Sequence, residues 1–256
     1  IFITAHVPMA IRNAVYREKM EQYIINQAGW STRSIFEMVD WPGCSRAGRK
    51  LSDSKRMTVF KLEFDLLAIL QHRSRFDWKV NNRCPWCNHL NEDINHVIQC
   101  TDTAKSRKSL WDTAAKYMQC ARLCPFVAKM FTAGMTQWFA GRSAQCESSI
   151  PCKTDITGYL AAYQAYLNQS NIGWDQVFRG HISHHWGKAN FNYCKERSLH
   201  NDSQLADMWL VRVVSNMWQF GIDSWINRNE ARLRPPYMTM SESYHRDQIL
   251  PVSNGS

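Results

Sequence analysis

The stretch RCPWCNHLNEDINHVIQC, residues 83–100, has two cysteines at one end and a histidine and a cysteine at the other. The spacing is Cys84-x2-Cys87-x8-His96-x3-Cys100. Two thiolates from one tight turn can reach a single ion, and Zn²⁺ readily takes three sulfurs and one nitrogen in tetrahedral ligation. The spacing therefore predicts a Zn²⁺ site formed by Cys84, Cys87, His96 and Cys100.

The second pair of ligands is expected on a short helix. Asp93 is a favourable N-cap for a helix that starts at Ile94, and His96 and Cys100 then stand four residues apart on one face. His89 is an alternative nitrogen ligand, but it lies on the same turn as the first two cysteines, which makes His96 the easier fit. A site with four protein ligands is closed, so we do not expect its metal to activate water.

The rest of the sequence has helical periodicity and almost no strand alternation. This pattern predicts an all-α fold, an irregular helical array with the zinc knuckle as an insertion. Apolar stripes predict helices after Pro125, at 156–167 and at 205–226, the last of which is apolar nearly all round, as in a buried helix. Two apolar faces over 57–69 predict a further helix that is packed on both sides.

Changes in composition divide the chain into three regions. A basic helical region at 1–140 contains the knuckle at 84–100, a Trp-rich helical region follows at 141–234, and 235–256 is expected to be a mobile tail. The boundary falls in the small and polar residues of 141–153. Tryptophans at helical spacing in the second region are expected in the core.

The chain is basic, with a formal net charge of +9, and its first half carries most of the excess. Between Ile1 and Cys124 there are 19 Lys and Arg residues against 12 Asp and Glu residues. Such a chain is expected to bind an acidic partner, either nucleic acid or an anionic membrane surface. Apolar runs are far too short to span a bilayer, and we expect no membrane partner.

The cysteine content indicates the compartment. Nine cysteines are an odd number, and no signal-peptide pattern precedes them. We therefore expect an intracellular protein of a reducing compartment, cytoplasmic or nuclear. Because the sequence starts with Ile1 rather than Met, we also expect a piece of a longer polypeptide.

Features in and around the knuckle resemble a known family over about a sixth of the chain. They are a helix ending near His72, the Cys84-Pro85-x-Cys87 turn, Glu92-Asp93, His96, Cys100, Ala104, Arg107 and Trp111. This region is similar to the zinc-binding region at the C-terminal end of reverse transcriptases of LINE-type, non-LTR retroelements. The resemblance implies the same four zinc ligands and a polymerase domain upstream in the same polypeptide. The family often has Gly after the second cysteine, where this sequence has Asn88.

The C-terminal half is similar to extensions found in such polyproteins of protists and algae. The residues that carry this second resemblance are Gly173-Trp174, Gly180, Trp186, Trp218, Trp225 and Arg228-Asn229.

Basic residues flank the knuckle, and aromatic residues such as Phe76 and Trp78 lie among them. Cations that neutralise phosphates, beside rings that stack on unpaired bases, are what single-stranded nucleic-acid binding requires. A solvated charged face is the alternative interpretation. The residues predicted to contact RNA or DNA are Arg73, Arg75, Lys79, Arg83, Trp86, Arg107 and Lys108.

The sequence predicts a non-catalytic, zinc-dependent nucleic-acid-binding C-terminal region of a retroelement reverse transcriptase polyprotein, which binds template RNA or target DNA. It contains no Asp-Asp pair of the kind that holds the metal ions of a polymerase. One alternative is a structural or protein-interaction module in which zinc only staples helices. A nuclease that uses Asp155, Lys195 and Glu196 is a less favoured alternative, because these residues lack motif-like spacing.

Two further groups invite a metal interpretation. Cys120-x3-Cys124 together with Cys146-x5-Cys152 would offer four thiols, although such cysteines, like Cys44 and Cys194, are more often buried as small hydrophobic residues. Three histidines lie close in sequence at His181, His184 and His185, and a structural or surface role is expected for them.

Overall fold

A computed structural model of the chain describes residues 7–118, 124–142, 156–197 and 202–232. The α-helices in these ranges are α1 (Val7–Ala28), α2 (Arg33–Met38), α3 (Trp41–Arg49), α4 (Asp53–Glu63), α5 (Leu70–Ser74), α6 (Ile94–Gln99), α7 (Ala104–Met118), α8 (Pro125–Phe139), α9 (Ile156–Ile172), α10 (His185–Glu196) and α11 (Asp202–Arg232). Short 3₁₀ segments lie at Thr101–Thr103 and Asp175–Arg179. In the same ranges, β pairing is limited to one isolated bridge between Val39 and Ser183. The all-α prediction is confirmed.

The long helix α11 lies at the centre of the array. It contacts α3, α4, α6, α7 and α10, and it also contacts the 3₁₀ segment Asp175–Arg179. Its buried side chains point in most directions around the axis and include Trp209, Val213, Met217 and Trp218. This distribution is what the nearly continuous apolar pattern predicts for a buried helix. Among the helices of the described ranges, none combines the length and apolar character that a membrane span needs.

The hydrophobic core is continuous across position 140. Helices α3, α4, α6 and α7 precede this position, and the helix α11 that they contact follows it. The expected boundary therefore divides two stretches of chain that share one core. Residues 143–153 of the expected linker and the tail at 235–256 lie outside the described residues.

Aromatic side chains fill the part of the core between α8, α9, α10 and α11. The Phe131 ring meets the rings of Trp174, Trp186 and Trp209 edge to face, with centroids 5.9, 5.6 and 6.1 Å away. All four residues are buried, so the expectation of core tryptophans is confirmed for them. A glycine is needed beside this cluster, because a Cβ at Gly134 would lie 2.2 Å from the Trp174 indole.

The helix expected over 57–69 is shorter than its apolar pattern suggests. α4 ends at Glu63, and Asp65 adopts the left-handed conformation with φ +53°. The N–H of Leu66 donates to the carbonyl oxygen of Lys61 at 2.7 Å, which satisfies a carbonyl of the last turn. Glycine is usual in this conformation, but residue 65 is Asp, so the sequence contains no glycine that marks the end of the helix.

The prediction that this helix packs on both sides is also wrong. Val59 and Leu62 are buried, whereas Met57 and Phe60 are 57% and 45% exposed. α4 therefore buries one face against the core and presents apolar side chains to solvent on the other.

Candidate metal centre

The structure brings the four predicted ligands together. The Sγ atoms of Cys84, Cys87 and Cys100 and an imidazole nitrogen of His96 all lie within 4.8 Å of one another. Cys87 Sγ is 3.2 Å from His96 Nε2, and Cys84 Sγ is 3.8 Å from Cys100 Sγ. With metal–sulfur bonds of about 2.3 Å, the sulfur atoms of a tetrahedral site lie roughly 3.8 Å apart. The cluster therefore has the size and the ligand types of a four-coordinate metal site.

The first two ligands lie on a turn that the backbone closes at both ends. The N–H of Asn88 donates to the carbonyl oxygen of Cys84 at 3.0 Å, and the N–H of Cys84 donates to that of His89 at 2.9 Å. Asn88 has φ +59°, in the left-handed region that glycine adopts freely and that asparagine tolerates better than most residues. Asn88 therefore closes the turn in a backbone conformation in which glycine is more usual.

The other two ligands are positioned by α6 and its ends. Asp93 is the N-cap, as expected, and its Oδ1 accepts from the N–H of His96 at 2.6 Å. His96 lies within α6, and Cys100 follows it by four residues, directly after the last helical residue Gln99, so the two ligands lie one turn apart as expected. Cys100 is the C-cap and has ψ +129°, outside the helical region. The chain leaves the helix at this ligand and enters the 3₁₀ segment that precedes α7.

Burial and mutual contact set the protonation of the ligands when no metal is bound. The hydrogen bond between the thiols raises the pKa of Cys84, which donates, and lowers the pKa of Cys100, which accepts. Burial raises the pKa of Cys87 and lowers the pKa of His96. The imidazole is consequently neutral near neutral pH, the form that can ligate a metal.

A buried ion pair fastens the knuckle to α11. The side chains of Glu92 and Arg228 are both completely buried, and the guanidinium binds the carboxylate through two nitrogens, with Nε 2.8 Å from Oε1 and the other nitrogen in contact with Oε2. The N–H of Leu70, at the start of α5, donates to Glu92 Oε2 at 3.0 Å. Glu92 precedes the N-cap of α6 directly, so the pair fixes the ligand helix against the body of the protein.

Backbone hydrogen bonds strengthen this junction. The N–H of Gln71 donates to the carbonyl oxygen of Glu92 at 3.2 Å, and the N–H of Glu92 donates to that of Asn82 at 2.8 Å. Sequence reasoning noted both Glu92 and Arg228 as parts of the resemblance. Nothing in one sequence pairs two residues that are 136 positions apart.

Two of the cations predicted to bind nucleic acid brace the knuckle instead of standing free. The guanidinium of Arg107 donates to the carbonyl oxygen of the ligand Cys100 at 2.8 Å and lies 5.5 Å from the ring centroid of Phe139. Arg83 donates to the carbonyl oxygen of Asn88 at 3.2 Å. These contacts hold the backbone on both sides of the metal cluster.

The other predicted contacts differ in accessibility. Trp86 is half-buried and lines a small pocket between α6, α7 and α11. Arg73 is half-buried at the end of α5, and exposed Lys108 forms an ion pair with Asp112 at 2.8 Å. Their surroundings leave Lys108 the more accessible of the two cations, although it is already paired.

The segment 75–79, here called the basic loop, is the most exposed part of the predicted surface. Arg75 and Lys79 are exposed, and the ammonium of Lys79 lies 5.7 Å from the ring centroid of Trp78. Phe76 and Trp78 are 81% and 88% exposed. The sequence indicates Phe76 and Trp78 as rings among the cations, but only Trp86 is in the list of predicted contacts, because spacing alone cannot show which ring is buried.

A second metal cluster of histidine, cysteine and carboxylate groups is not found in the described part of the chain. Cys120, Cys146 and Cys152 lie outside the described residues, and Cys124 is buried. Cys44 and Cys194 are buried as well, and Cys44 Sγ donates to the carbonyl oxygen of Gly180. The alternative site of four thiols therefore lies largely beyond what the structure describes.

The histidines near position 181 have structural surroundings. His181 is buried between the rings of Trp30 and Trp41, with centroids 5.3 and 5.2 Å away, and its Nδ1 is 3.0 Å from Gln176 Oε1. The rings of His184 and His185 stack on each other at 4.2 Å. These contacts fit the expected structural role.

The residues of the nuclease alternative are not brought into one site by the described structure. Lys195 and Glu196 are exposed at the end of α10, and Asp155 lies outside the described residues.

Comparisons of the chain with known protein families, with curated proteins and with solved structures give no match. The geometry of the knuckle and of its surroundings is therefore the basis for assigning a function.

Proposed function

We propose that the chain is a non-catalytic module in which Zn²⁺ at Cys84, Cys87, His96 and Cys100 orders the basic loop for binding single-stranded nucleic acid. The strand is template RNA or target DNA. In this proposal the module is the C-terminal zinc-binding region of a retroelement reverse transcriptase, downstream of the polymerase domain. Three thiolates and one imidazole in tetrahedral arrangement favour Zn²⁺ over harder divalent ions.

The observation that carries the proposal is the exposure of two aromatic rings between two cations. Phe76 and Trp78 are 81% and 88% exposed, and Arg75 and Lys79 flank them in the basic loop. Stacking of a base on such a ring contributes about 1–3 kcal/mol, and each cation can neutralise one phosphate. Rings and charges at this spacing suit a flexible, unpaired strand.

The metal would order the basic loop by fixing the two ends of that loop. The loop begins where α5 ends, and α5 is tied to the knuckle because the N–H of Leu70 donates to Glu92. After the loop, Asn82 accepts from the N–H of Glu92, and its side chain donates to Asn91 Oδ1 at 2.5 Å. Structural zinc contributes on the order of 10 kcal/mol to the folding of small domains. Loss of the metal should therefore release both ends of the loop.

Binding to fluorescent single-stranded RNA and DNA, measured at several salt concentrations, tests the proposal. If Arg73, Arg75 and Lys79 each neutralise one phosphate, the slope of log affinity against log salt should be about −2. Affinity should then fall roughly 20-fold between 50 and 200 mM salt. Arg75→Glu and Lys79→Glu should flatten the slope, whereas Lys129→Glu, at an exposed position of α8, should change it much less.

Two further measurements distinguish the alternatives. Trp78→Ala should weaken binding about tenfold without changing the slope, because a ring neutralises no phosphate. Removal of zinc by a chelator should weaken binding to all sequences alike. Binding that is insensitive to salt and to these substitutions would favour the protein-interaction module, and strand cleavage on addition of Mg²⁺ would favour the nuclease.

A further inference from the structure

A cleft of about 400 Å³ opens beside the knuckle, where α1, the end of α4, α5 and α6 meet. Its lining includes Arg75 from the basic loop and Asn95 from the helix that carries the ligand His96. The cleft therefore adjoins both parts of the proposed binding surface. Its volume falls in the range of sites that enclose a small ligand.

One wall of the cleft is aromatic. Tyr23 from α1 and Phe64 from the end of α4 both line it, and their ring centroids are 5.8 Å apart with planes inclined at 36°. Tyr23 is 45% exposed, so part of its surface is available to a ligand. Ile69 and Ile94 add apolar surface to the lining. A planar ring can pack against such a wall.

The floor of the cleft is polar and fixed in place. The Asp65 carboxylate accepts from the guanidinium of Arg179 at 2.6 Å and from Gln27 Nε2 at 3.0 Å. The Arg179 side chain is only 9% exposed. Because this carboxylate and this guanidinium already bind each other, they hold the shape of the cleft without leaving a net charge in it.

Two further lining residues retain hydrogen-bonding capacity. Across the described ranges, no protein partner is found for the side-chain amides of Gln71 and Asn95. An amide offers both a donor and an acceptor, which match the mixed donors and acceptors on the edge of a nucleobase.

The charges that line the cleft balance. Arg75 and Arg179 are matched by Asp65 and Asp93. A phosphate or a divalent cation would meet as much repulsion as attraction there, whereas a neutral, planar, hydrogen-bonding ring would not.

We propose that this cleft receives one unpaired nucleobase of the strand held by the basic loop, an inference that rests on the proposed function. The base stacks against Tyr23 and bonds with its edge to the amides of Gln71 and Asn95. Arg75 stands at the mouth, where it neutralises the adjoining phosphate. The cleft thus adds a preference among bases to a surface that otherwise binds any strand.

The test combines homopolymeric oligonucleotides with substitutions inside and outside the cleft. Gln71→Ala and Asn95→Ala should lower affinity roughly five- to tenfold for the preferred base and reduce the preference among bases. The salt slope should stay unchanged, because neither amide neutralises a phosphate. Gln164→Ala and Asn192→Ala, at exposed positions of α9 and α10, are the matched controls.

Photocrosslinking of the unaltered protein keeps the test independent of any folding defect in a variant. An oligonucleotide of 5-iodouridine should crosslink to Tyr23 as well as to Trp78, as identified by mass spectrometry. If crosslinks form only in the basic loop and the cleft variants bind as the controls do, the cleft inference is overturned while the proposed function stands. If the protein binds no single strand, both are overturned.

Discussion

Replacement of Arg228 by Met tests how the knuckle is held to the body of the protein. Arg228 and Glu92 have no exposed side-chain surface, and the guanidinium supplies two of the three hydrogen bonds that the carboxylate receives. In Arg228→Met, only the N–H of Leu70 remains as a partner of a buried negative charge. Removing one partner of a buried ion pair typically costs about 3–5 kcal/mol.

The expected loss can be measured by urea unfolding of the zinc-loaded protein, followed by circular dichroism and tryptophan fluorescence. For a chain of this size it corresponds to a fall in Tm on the order of 10 °C. A matched control is Lys108→Met, which breaks the exposed pair with Asp112 and should change the free energy of unfolding far less, because solvent screens an exposed pair.

A double variant separates the buried charge from the lost contacts. Glu92→Gln removes the charge and keeps an oxygen that can accept from the N–H of Leu70. Glu92→Gln with Arg228→Met should therefore be more stable than Arg228→Met alone, because no unpaired charge remains buried. If Arg228→Met unfolds within about 1 kcal/mol of the unaltered protein, or the double variant is the least stable of the three, the reasoning is refuted.

Metal analysis of reduced protein should find one zinc per chain, and protein without zinc would contradict the proposed site. Cys87→Ser should raise amide exchange across 84–100 while α8 to α10 stay protected. In a chelator competition, Asn88→Gly should keep the zinc affinity, whereas Asn88→Val should lower it, because a β-branched residue resists φ +59°. Equal affinities of the two variants would count against the turn geometry. Burial lowers the pKa of His184, and it lowers the pKa of His185 to about 4. The free energy of unfolding should therefore fall on acidification from pH 7 towards pH 4. The unfolded chain then binds protons that the folded chain does not, and His185→Gln should flatten the profile; parallel profiles would contradict this.

The parts of the site that could be predicted from the sequence are local. The four ligands lie within one short stretch, where spacing alone limits which side chains can meet one ion. The same holds for Asp93, whose side chain caps a helix that starts at the next residue. Chain connectivity restricts such neighbours so strongly that the pattern is nearly sufficient.

What the sequence could not predict depends on partners far along the chain or on the backbone. Arg107 has the side chain of a phosphate contact, yet it binds the carbonyl oxygen of Cys100, an atom that every residue possesses. Glu92 and Arg228 are charged residues that a single sequence places on the surface, since isolated charges are rarely buried. The end of α4 escaped prediction because Asp65 takes a conformation in which glycine is more usual.

The central position of α11 also has a consequence for the order of events during synthesis. All four candidate metal ligands have left the ribosome once Cys100 has, but Arg228 follows 128 residues later. At about 5–20 residues per second this interval lasts roughly 5–25 s. Until α11 emerges, the faces of α3, α4 and α7 that it covers have no partner, so the nascent chain should be a substrate for chaperones that bind exposed apolar surface.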